Sequence, residues 1–305
     1  IISETGAVSN VFDSAPFLKI KLWKMKIKSL IAPVVLSLLL LLSPVSVAGV
    51  PSGRIDIIPK PSSVELMCGP DFVLNERTVI RYDAASEAQA RYLREFLQTS
   101  TGFELRMLES GSGKGIKLSV DPTVVSDAEG YVLKSDSRSV NIVGHDAAGV
   151  FYGIQTLLQL FPVEIYSGTV VRGVDWKLPP LVIKDAPERP WRGMMLDVAR
   201  YFYNKDFVKK YIDMMAMYKL NKLQFHFIDD SGWRLEIKKY PALTEVGAWA
   251  STGAYPLGGY YTQEDIKEII EYASVRGVEI IPEIEFPAHM LSAIVAYPWL
   301  SCSGL

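Results

Sequence analysis

The sequence is poor in features that would point to several common classes of protein. It has two cysteines in 305 residues, Cys68 and Cys302, which lie far apart and in no metal-like spacing. This argues against a disulfide-rich scaffold or a cysteine-based metal centre, and we expect two unpaired, partly buried thiols. A formal net charge of -2 provides no broad basic surface for phosphate backbones, so nucleic acid is not an expected partner.

The N-terminal apolar run is too short to span a membrane. Residues 30–42 are apolar apart from Pro33 and Ser37, whereas a membrane span needs roughly 20 apolar residues. A basic start at 25–28 precedes this run and small residues at 46–48 follow it, which predicts a signal peptide over 25–48. We therefore expect an exported protein, periplasmic or extracellular, with no stable membrane span after cleavage. Residues 1–24 precede the expected start and are interpreted as a non-native extension.

The sequence also lacks the motifs of nucleotide-dependent enzymes. No Walker motif and no Gly-x-Gly-x-x-Gly turn follows a predicted strand, so no phosphate-bearing cofactor, and no cofactor of another kind, is expected. Hydrophobic residues make up 49% of the chain and charged residues 22%, which is typical of a globular protein that can bury one or two cores.

Two patterns of apolar residues divide the chain after the signal peptide. Over residues 55–165, short strand-like runs alternate with two helical stretches, one ending near Gly102 and one capped by Asp146, which predicts an α+β domain. Residues 166–188 are rich in proline and glycine and are interpreted as a linker. Residues 189–305 follow the order strand, helix, strand, helix, strand, which predicts parallel strands.

The second pattern predicts the beginning of a TIM (β/α)8 barrel. A complete barrel takes about 250 residues, and residues 189–305 provide only its first three β/α units. A long insertion, from Ser231 to about Tyr261, follows the second strand. We expect an incomplete barrel whose third strand has an unpaired edge where a fourth strand would add.

Charged residues follow each of the three predicted barrel strands. In TIM barrels the functional groups collect at the C-terminal ends of the strands, so three successive clusters predict one shared polar site. The clusters are Asp197 with Arg200, then His226 with Asp229 and Asp230, and then Glu283 with Glu285 and His289.

Taken singly, these residues also have ordinary structural interpretations. Arg200 is then a surface ion-pair partner, Asp229 and Asp230 form a capped turn, and His289 bonds to backbone near a helix start. A zinc site at His226, Asp229 and His289 is the first rival chemistry, but these residues lie on different strands without a close ligand pair, so no metal is expected. Three tryptophans are interpreted as buried packing residues: Trp191, Trp249 and Trp299.

Three stretches at the strand ends resemble family 20 glycoside hydrolases, the β-N-acetylhexosaminidases. Residues 191–202 (WRGMMLDVARYF) resemble the first barrel strand of the family, residues 221–236 (NKLQFHFIDDSGWRLE) the second strand with its loop, and residues 282–289 (PEIEFPAH) the third strand end. Residues 129–131 and 148–157 are similar to the small domain that precedes the barrel in this family.

The resemblance implies roles for the clustered residues. Arg200 would bind hydroxyls of the terminal sugar, because a guanidinium can hold two oxygens at once. Asp229 and His289 would belong to the same pocket. Two positions depart from the family, with Ala288 in place of the usual glycine and Glu285 in place of the usual aspartate. Three further residues would hold the pocket side chains in place: His226, Asp230 and Glu285.

The resemblance also implies a substrate-assisted, retaining mechanism. In this family the 2-acetamido oxygen of the substrate attacks the anomeric carbon, an Asp orients the acetamide, and the adjacent Glu protonates the leaving oxygen. That Asp-Glu pair follows a fourth strand, which this chain lacks. We therefore expect the N-terminal part of a β-N-acetylhexosaminidase, acting on N-acetylhexosamine-containing glycans, that is inactive by itself. A non-catalytic carbohydrate-binding or decayed fragment is the alternative.

Overall fold

The structure, a computed structural model, describes residues 55–249 and 258–303. The predicted extension and signal peptide lie outside the described residues, as do residues 250–257 of the predicted insertion. None of the helices within the described ranges has the length and apolar character that crossing a membrane requires.

The described residues form strands and helices in two successive groups. The strands are β1 (Ser63–Leu66), β2 (Phe72–Val73), β3 (Val79–Tyr82), β4 (Arg106–Glu109), β5 (Gly115–Val120), β6 (Tyr131–Ser135), β7 (Ser139–Gly144), β8 (Lys177–Leu178), β9 (Leu181–Asp185), β10 (Gly193–Asp197), β11 (Lys222–His226), β12 (Ile228–Asp229), β13 (Gly232–Trp233) and β14 (Glu279–Glu283). The α-helices are α1 (Glu87–Thr101), α2 (Ala147–Leu160), α3 (Lys205–Met217), α4 (Ala242–Glu245), α5 (Gln263–Val275) and α6 (Leu291–Ala296). Three 3-10 turns complete the set: Ala84–Ser86, Val163–Tyr166 and Pro298–Leu300.

The first group is built on a seven-stranded mixed sheet with the order β1-β9-β6-β7-β5-β3-β4. Strands β4, β3, β5 and β7 are parallel, whereas β6 is antiparallel to both β7 and β9. Leu133 and Ile142 of the sheet are fully buried in one core with Leu93 of α1 and Ile154 of α2. The predicted α+β character of this region is confirmed in the structure.

Local signals in the sequence determine the helix ends of this group. Helix α1 stops where Gly102 adopts a left-handed φ of 73°, and the Gly102 amide donates to the carbonyl of Gln98. The Asp146 carboxylate caps α2 by accepting a hydrogen bond of 2.8 Å from the Gly149 amide.

The predicted linker over 166–188 is wrong for its second half. Strand β9 lies inside the first sheet, between β1 and β6, and its residues Leu181 and Ile183 are fully buried. Pro179 and Pro180 precede this strand and Pro187 follows it, so the prolines flank a strand and do not interrupt one. The segment therefore completes the first sheet.

The second group is built on a three-stranded parallel sheet with the order β10-β11-β14. One face of this sheet packs against α3 and α5, where Leu223 and Phe225 share a core with Ile212 and Ile269. Among the described strands β10 and β14 pair only with β11, so both are outer strands. Closure into an eight-stranded barrel stays a prediction.

Two predictions about individual side chains are wrong. Trp191, Trp249 and Trp299 are 61%, 57% and 66% exposed, so they do not pack in a core. The thiols of Cys68 and Cys302 are unpaired, as expected, but both are exposed.

Candidate functional site

The three parallel strands bring their last residues into one row. The register pairs Asp197 with His226 and His226 with Glu283, so side chains from β10, β11 and β14 leave the sheet at the same level. The segments directly after these strands carry Arg200, Asp229, which lies in the short strand β12, and His289. This parallel register explains why clusters that are far apart in sequence meet at one end of the sheet.

Asp229 is the centre of the site. Its carboxylate is 3% exposed, and Oδ2 lies 2.5 Å from Nη2 of Arg200 and 3.3 Å from Nε2 of His226. Oδ1 lies 3.4 Å from Nδ1 of His289. The structure thus gathers Arg200, Asp229 and His289, the three residues that the sequence analysis assigned to the sugar pocket, with His226 beneath them.

Arg200 faces solvent while two carboxylates fix its direction. Nη1 donates to Oδ2 of Asp197 at 2.5 Å and Nη2 contacts Asp229, but the side chain remains 53% exposed. Burial alone would raise the pKa of Asp197, but hydrogen bonds from the Arg200 amide and guanidinium outweigh it and lower that pKa. An arginine has five N–H donors, so donors remain for hydroxyl oxygens of a ligand.

Asp230 joins the second strand to the loop that carries His289. Its amide donates to Oδ1 of Asp229 at 2.7 Å, and its carboxylate accepts from the amide of Leu291 at 3.1 Å. The buried hydroxyl of Ser292 donates to the carbonyl of Asp229 at 2.7 Å. His289 has a left-handed φ of 56°, uncommon for a residue other than glycine. The sequence analysis did not identify Ser292.

Glu285 lies with Glu283 and His226, and not at Asp229. Ligand atoms of these three side chains lie within 4.8 Å of one another. Glu283 accepts a hydrogen bond of 2.7 Å from Gln224. Burial alone would raise the pKa of Glu283, but the hydrogen bonds from Gln224 and Glu285, together with the nearby imidazole of His226, lower it. The sequence analysis placed Glu283 in a strand-end cluster without giving it a role.

Comparison with known proteins assigns the chain to a family. Residues 54–186 match the family model described as glycosyl hydrolase family 20, domain 2, and residues 190–304 match the model described as glycosyl hydrolase family 20, catalytic domain. The chain belongs to glycosyl hydrolase family 20. The resemblance stated from the strand-end motifs is confirmed.

Several family 20 relatives align with most of this chain. A β-hexosaminidase of Porphyromonas gingivalis is 43% identical over 253 residues, which are 81% of this chain and 32% of that protein. The structure of the family 20 β-N-acetylhexosaminidase from Streptomyces coelicolor A3(2) has a TM-score of 0.76 and 40% identity, and the match covers 83% of this chain and 51% of that one. A mutant Streptomyces plicatus β-hexosaminidase in complex with its product N-acetylglucosamine has a TM-score of 0.77 and 39% identity, covering 83% and 50%. This chain spans about half or less of their lengths.

The candidate site rests on a buried arginine that the sequence analysis missed. Arg234 is 2% exposed, and among the described residues the hydrogen-bond partners of its guanidinium are all backbone carbonyls. Nε and Nη2 bind the carbonyls of Val198 and Ala199, the two residues before Arg200, at 2.8 to 3.2 Å. Nη1 binds the carbonyls of Ala248 and Gly259 at 2.5 and 3.1 Å. Arg234 therefore ties the Arg200 turn to Ala248 and Gly259.

Two neighbours pack closely against the guanidinium of Arg234. A Cβ atom on Gly232 would lie 2.3 Å from Cζ of Arg234, so a larger residue at that position would require the guanidinium to move. The ring of Phe202 lies on another side, with its centroid 5.9 Å from Cζ. The carboxylate of Asp197 accepts hydrogen bonds of 3.0 Å from the amides of Ala199 and Arg200. The turn before Arg200 is therefore fixed through its amides by Asp197 and through its carbonyls by Arg234.

The geometry also bears on the rival zinc site at His226, Asp229 and His289. These side chains do surround one carboxylate, but the guanidinium of Arg200 already contacts it at 2.5 Å. A second cation on the same carboxylate would be repelled by the first. The arrangement favours a site for neutral hydroxyl groups over a metal centre at Asp229.

Proposed function

We propose that this chain contributes the N-terminal domain and the first three barrel strands of a secreted β-N-acetylhexosaminidase. That enzyme would remove terminal N-acetylhexosamine from oligosaccharides or glycoconjugates, with retention of configuration. The proposal rests on family membership and on one observation: Arg200, Asp229 and His289 come from three successive strands and meet around a single buried carboxylate.

In this proposal the sugar pocket is the half of the active site that the chain carries. Arg200 would donate to two hydroxyls of the terminal sugar, since its two paired carboxylates hold the guanidinium in place. Asp229 would accept a hydrogen bond from a sugar hydroxyl, and His289 would lie at the rim. His226, Asp230 and Glu285 would support these groups. The P. gingivalis, S. coelicolor and S. plicatus proteins are described as hexosaminidases, which supports this substrate class.

The catalytic step would need an Asp-Glu pair from outside these 305 residues. In the proposed mechanism the acetamido oxygen of the substrate attacks the anomeric carbon while an Asp orients it and a Glu protonates the leaving oxygen. No aspartate in the 305 residues is followed directly by glutamate. Asp229 and Asp230 would not replace this pair, because both are engaged in binding Arg200, His289 and the Leu291 amide.

The proposal predicts sugar binding without turnover. Ligand-observed NMR with the purified chain should detect binding of N-acetylglucosamine or N-acetylgalactosamine, with N-methylacetamide as the control compound that lacks the ring hydroxyls assigned to Arg200. A chromogenic N-acetylglucosaminide should be hydrolysed no faster than in buffer, because the general acid is missing. Hydrolysis above the buffer rate would contradict the proposed division of the active site, and absence of binding to either sugar would contradict the pocket.

The alternative is a non-catalytic carbohydrate-binding or decayed product. Both readings predict binding without turnover, so the DNA downstream of the Leu305 codon distinguishes them. An open frame encoding a fourth strand and an Asp-Glu pair would support the enzyme. A stop codon directly after Leu305 would support the alternative.

We further propose export through the signal peptide at residues 25–48. Small residues at 46–48 match the cleavage signal, so the mature chain is expected to begin at Gly49. Mass spectrometry of the protein recovered from a bacterial periplasm should give this N-terminus. A product that retains Met25 and stays in the cytoplasmic fraction would refute export.

A further inference from the structure

One nitrogen of a buried histidine has no hydrogen bond in the part of the chain that the structure describes. His226 is 5% exposed, and its Nε2 is held by Asp229. Nδ1 is buried without a hydrogen bond, although Oε2 of Glu283 lies only 3.2 Å away, outside hydrogen-bond geometry. A buried polar atom without a partner costs free energy, so a ligand on Nδ1 would stabilise the folded chain.

Two carboxylates approach the same point as this nitrogen. Atoms of His226, Glu283 and Glu285 that can bind a metal all lie within 4.8 Å of one another. A divalent cation at this point would be attracted by both carboxyl groups. Glu283 and Glu285 are partly exposed, which gives an ion access from solvent.

We propose that His226 Nδ1, Glu283 and Glu285 bind a divalent transition-metal ion, with Zn²⁺ as the probe. In tetrahedral zinc sites the bonds to nitrogen and oxygen are about 2.0–2.2 Å, which places neighbouring ligand atoms roughly 3.3–3.6 Å apart. The 3.2 Å between Nδ1 and Oε2 of Glu283 lies just below that range, so a small shift of the carboxylate would admit the ion. The imidazole favours zinc, cobalt or nickel over magnesium and calcium, which prefer oxygen ligands only.

The surroundings of the three ligands suit a metal site. Metal-binding histidines usually donate their second ring N–H to a carboxylate, and Asp229 occupies that place for His226 at 3.3 Å. Gln224 donates to Oε2 of Glu283 at 2.7 Å and fixes its direction. The neighbouring cluster of Asp229, Asp230 and His289 differs, because Arg200 already supplies a cation there.

The test is zinc titration of the 305-residue chain by calorimetry, with Cys68→Ser and Cys302→Ser in every sample so that the exposed thiols contribute nothing. We expect one Zn²⁺ per chain and no heat from Mg²⁺. Glu285→Gln and His226→Gln should each weaken zinc binding at least about tenfold, since loss even of an outer partner costs that much. Glu279→Gln is the matched control, because Glu279 lies on β14 with the ligand Glu283 but pairs with Lys222 instead. Its affinity should not change.

Co²⁺ provides a readout that does not depend on stability. A bound Co²⁺ should give visible absorption bands of a nitrogen and oxygen site, which Glu285→Gln should remove while its thermal melt stays unchanged. No zinc binding, or equal binding by both ligand variants and the Glu279→Gln control, would overturn the proposal. The zinc and cobalt measurements do not require sugar binding, which NMR tests separately. Either proposal can therefore be contradicted without affecting the other.

Discussion

Replacing Arg200 with alanine should abolish detectable binding of N-acetylglucosamine while leaving the chain folded. Hydrogen bonds from a charged donor contribute about 1.5–3 kcal/mol, which corresponds to roughly 10- to 150-fold in affinity. The Arg200 side chain is about half exposed, but its removal leaves the buried Asp229 carboxylate without this cation, so the free energy of unfolding should fall by about 1–3 kcal/mol. Ligand-observed NMR at the sugar concentration that half-saturates the wild type measures the first effect, and a urea melt measures the second.

The control for this variant is Arg91→Ala. Arg91 is similarly exposed and pairs with one carboxylate, Glu87, on helix α1 of the first domain. The Arg91→Ala variant should bind N-acetylglucosamine with the affinity of the wild type. If Arg200→Ala bound the sugar as tightly as Arg91→Ala, Arg200 would have no part in the pocket.

Replacing Arg234 with methionine should lower the free energy of unfolding by about 3–5 kcal/mol, the cost of breaking a buried charged network. Methionine fills a similar space but donates no hydrogen bond, so the carbonyls of Val198, Ala199 and Gly259 would lose the buried guanidinium that they share. Urea denaturation measures the change. Arg138→Met is the control, because Arg138 is exposed on the turn between β6 and β7, and it should shift stability by less than about 0.5 kcal/mol.

A second variant tests the same guanidinium by changing a residue that packs against it, Gly232. Gly232→Ala keeps Arg234 but places a methyl group 2.3 Å from its Cζ, so it should destabilise the chain by about 1–3 kcal/mol through overpacking. If both Gly232→Ala and Arg234→Met unfolded at the same urea concentration as the Arg138→Met control, the hydrogen bonds of Arg234 would not stabilise the fold.

The sequence predicted the secondary structure well where a signal is local. Asp146 caps helix α2 with its side chain, and Gly102 ends α1, as their residue types indicated. Strand β9 was missed because nearby prolines and glycines resemble a linker, while the pairing that makes it a strand involves β1 and β6 more than 40 residues away. Long-range pairing of this kind leaves little trace in a short window of sequence.

The sequence also predicted only part of the candidate site. Parallel strands end at the same edge of a sheet, so the order strand, helix, strand was enough to bring Arg200, Asp229 and His289 together. Arg234 and Ser292 could not be recognised, because their partners are backbone carbonyls, which every residue has. The position of Glu285 beside His226 depends on the path of the loop after β14, which its sequence does not specify.

The most direct measurement is a crystal structure of this chain soaked with N-acetylglucosamine. The account predicts one sugar at the ends of β10, β11 and β14, with Arg200 and Asp229 within hydrogen-bond distance of its hydroxyls and His289 beside it. A sugar bound elsewhere on the chain, or Arg200 and His289 found apart from Asp229, would contradict it.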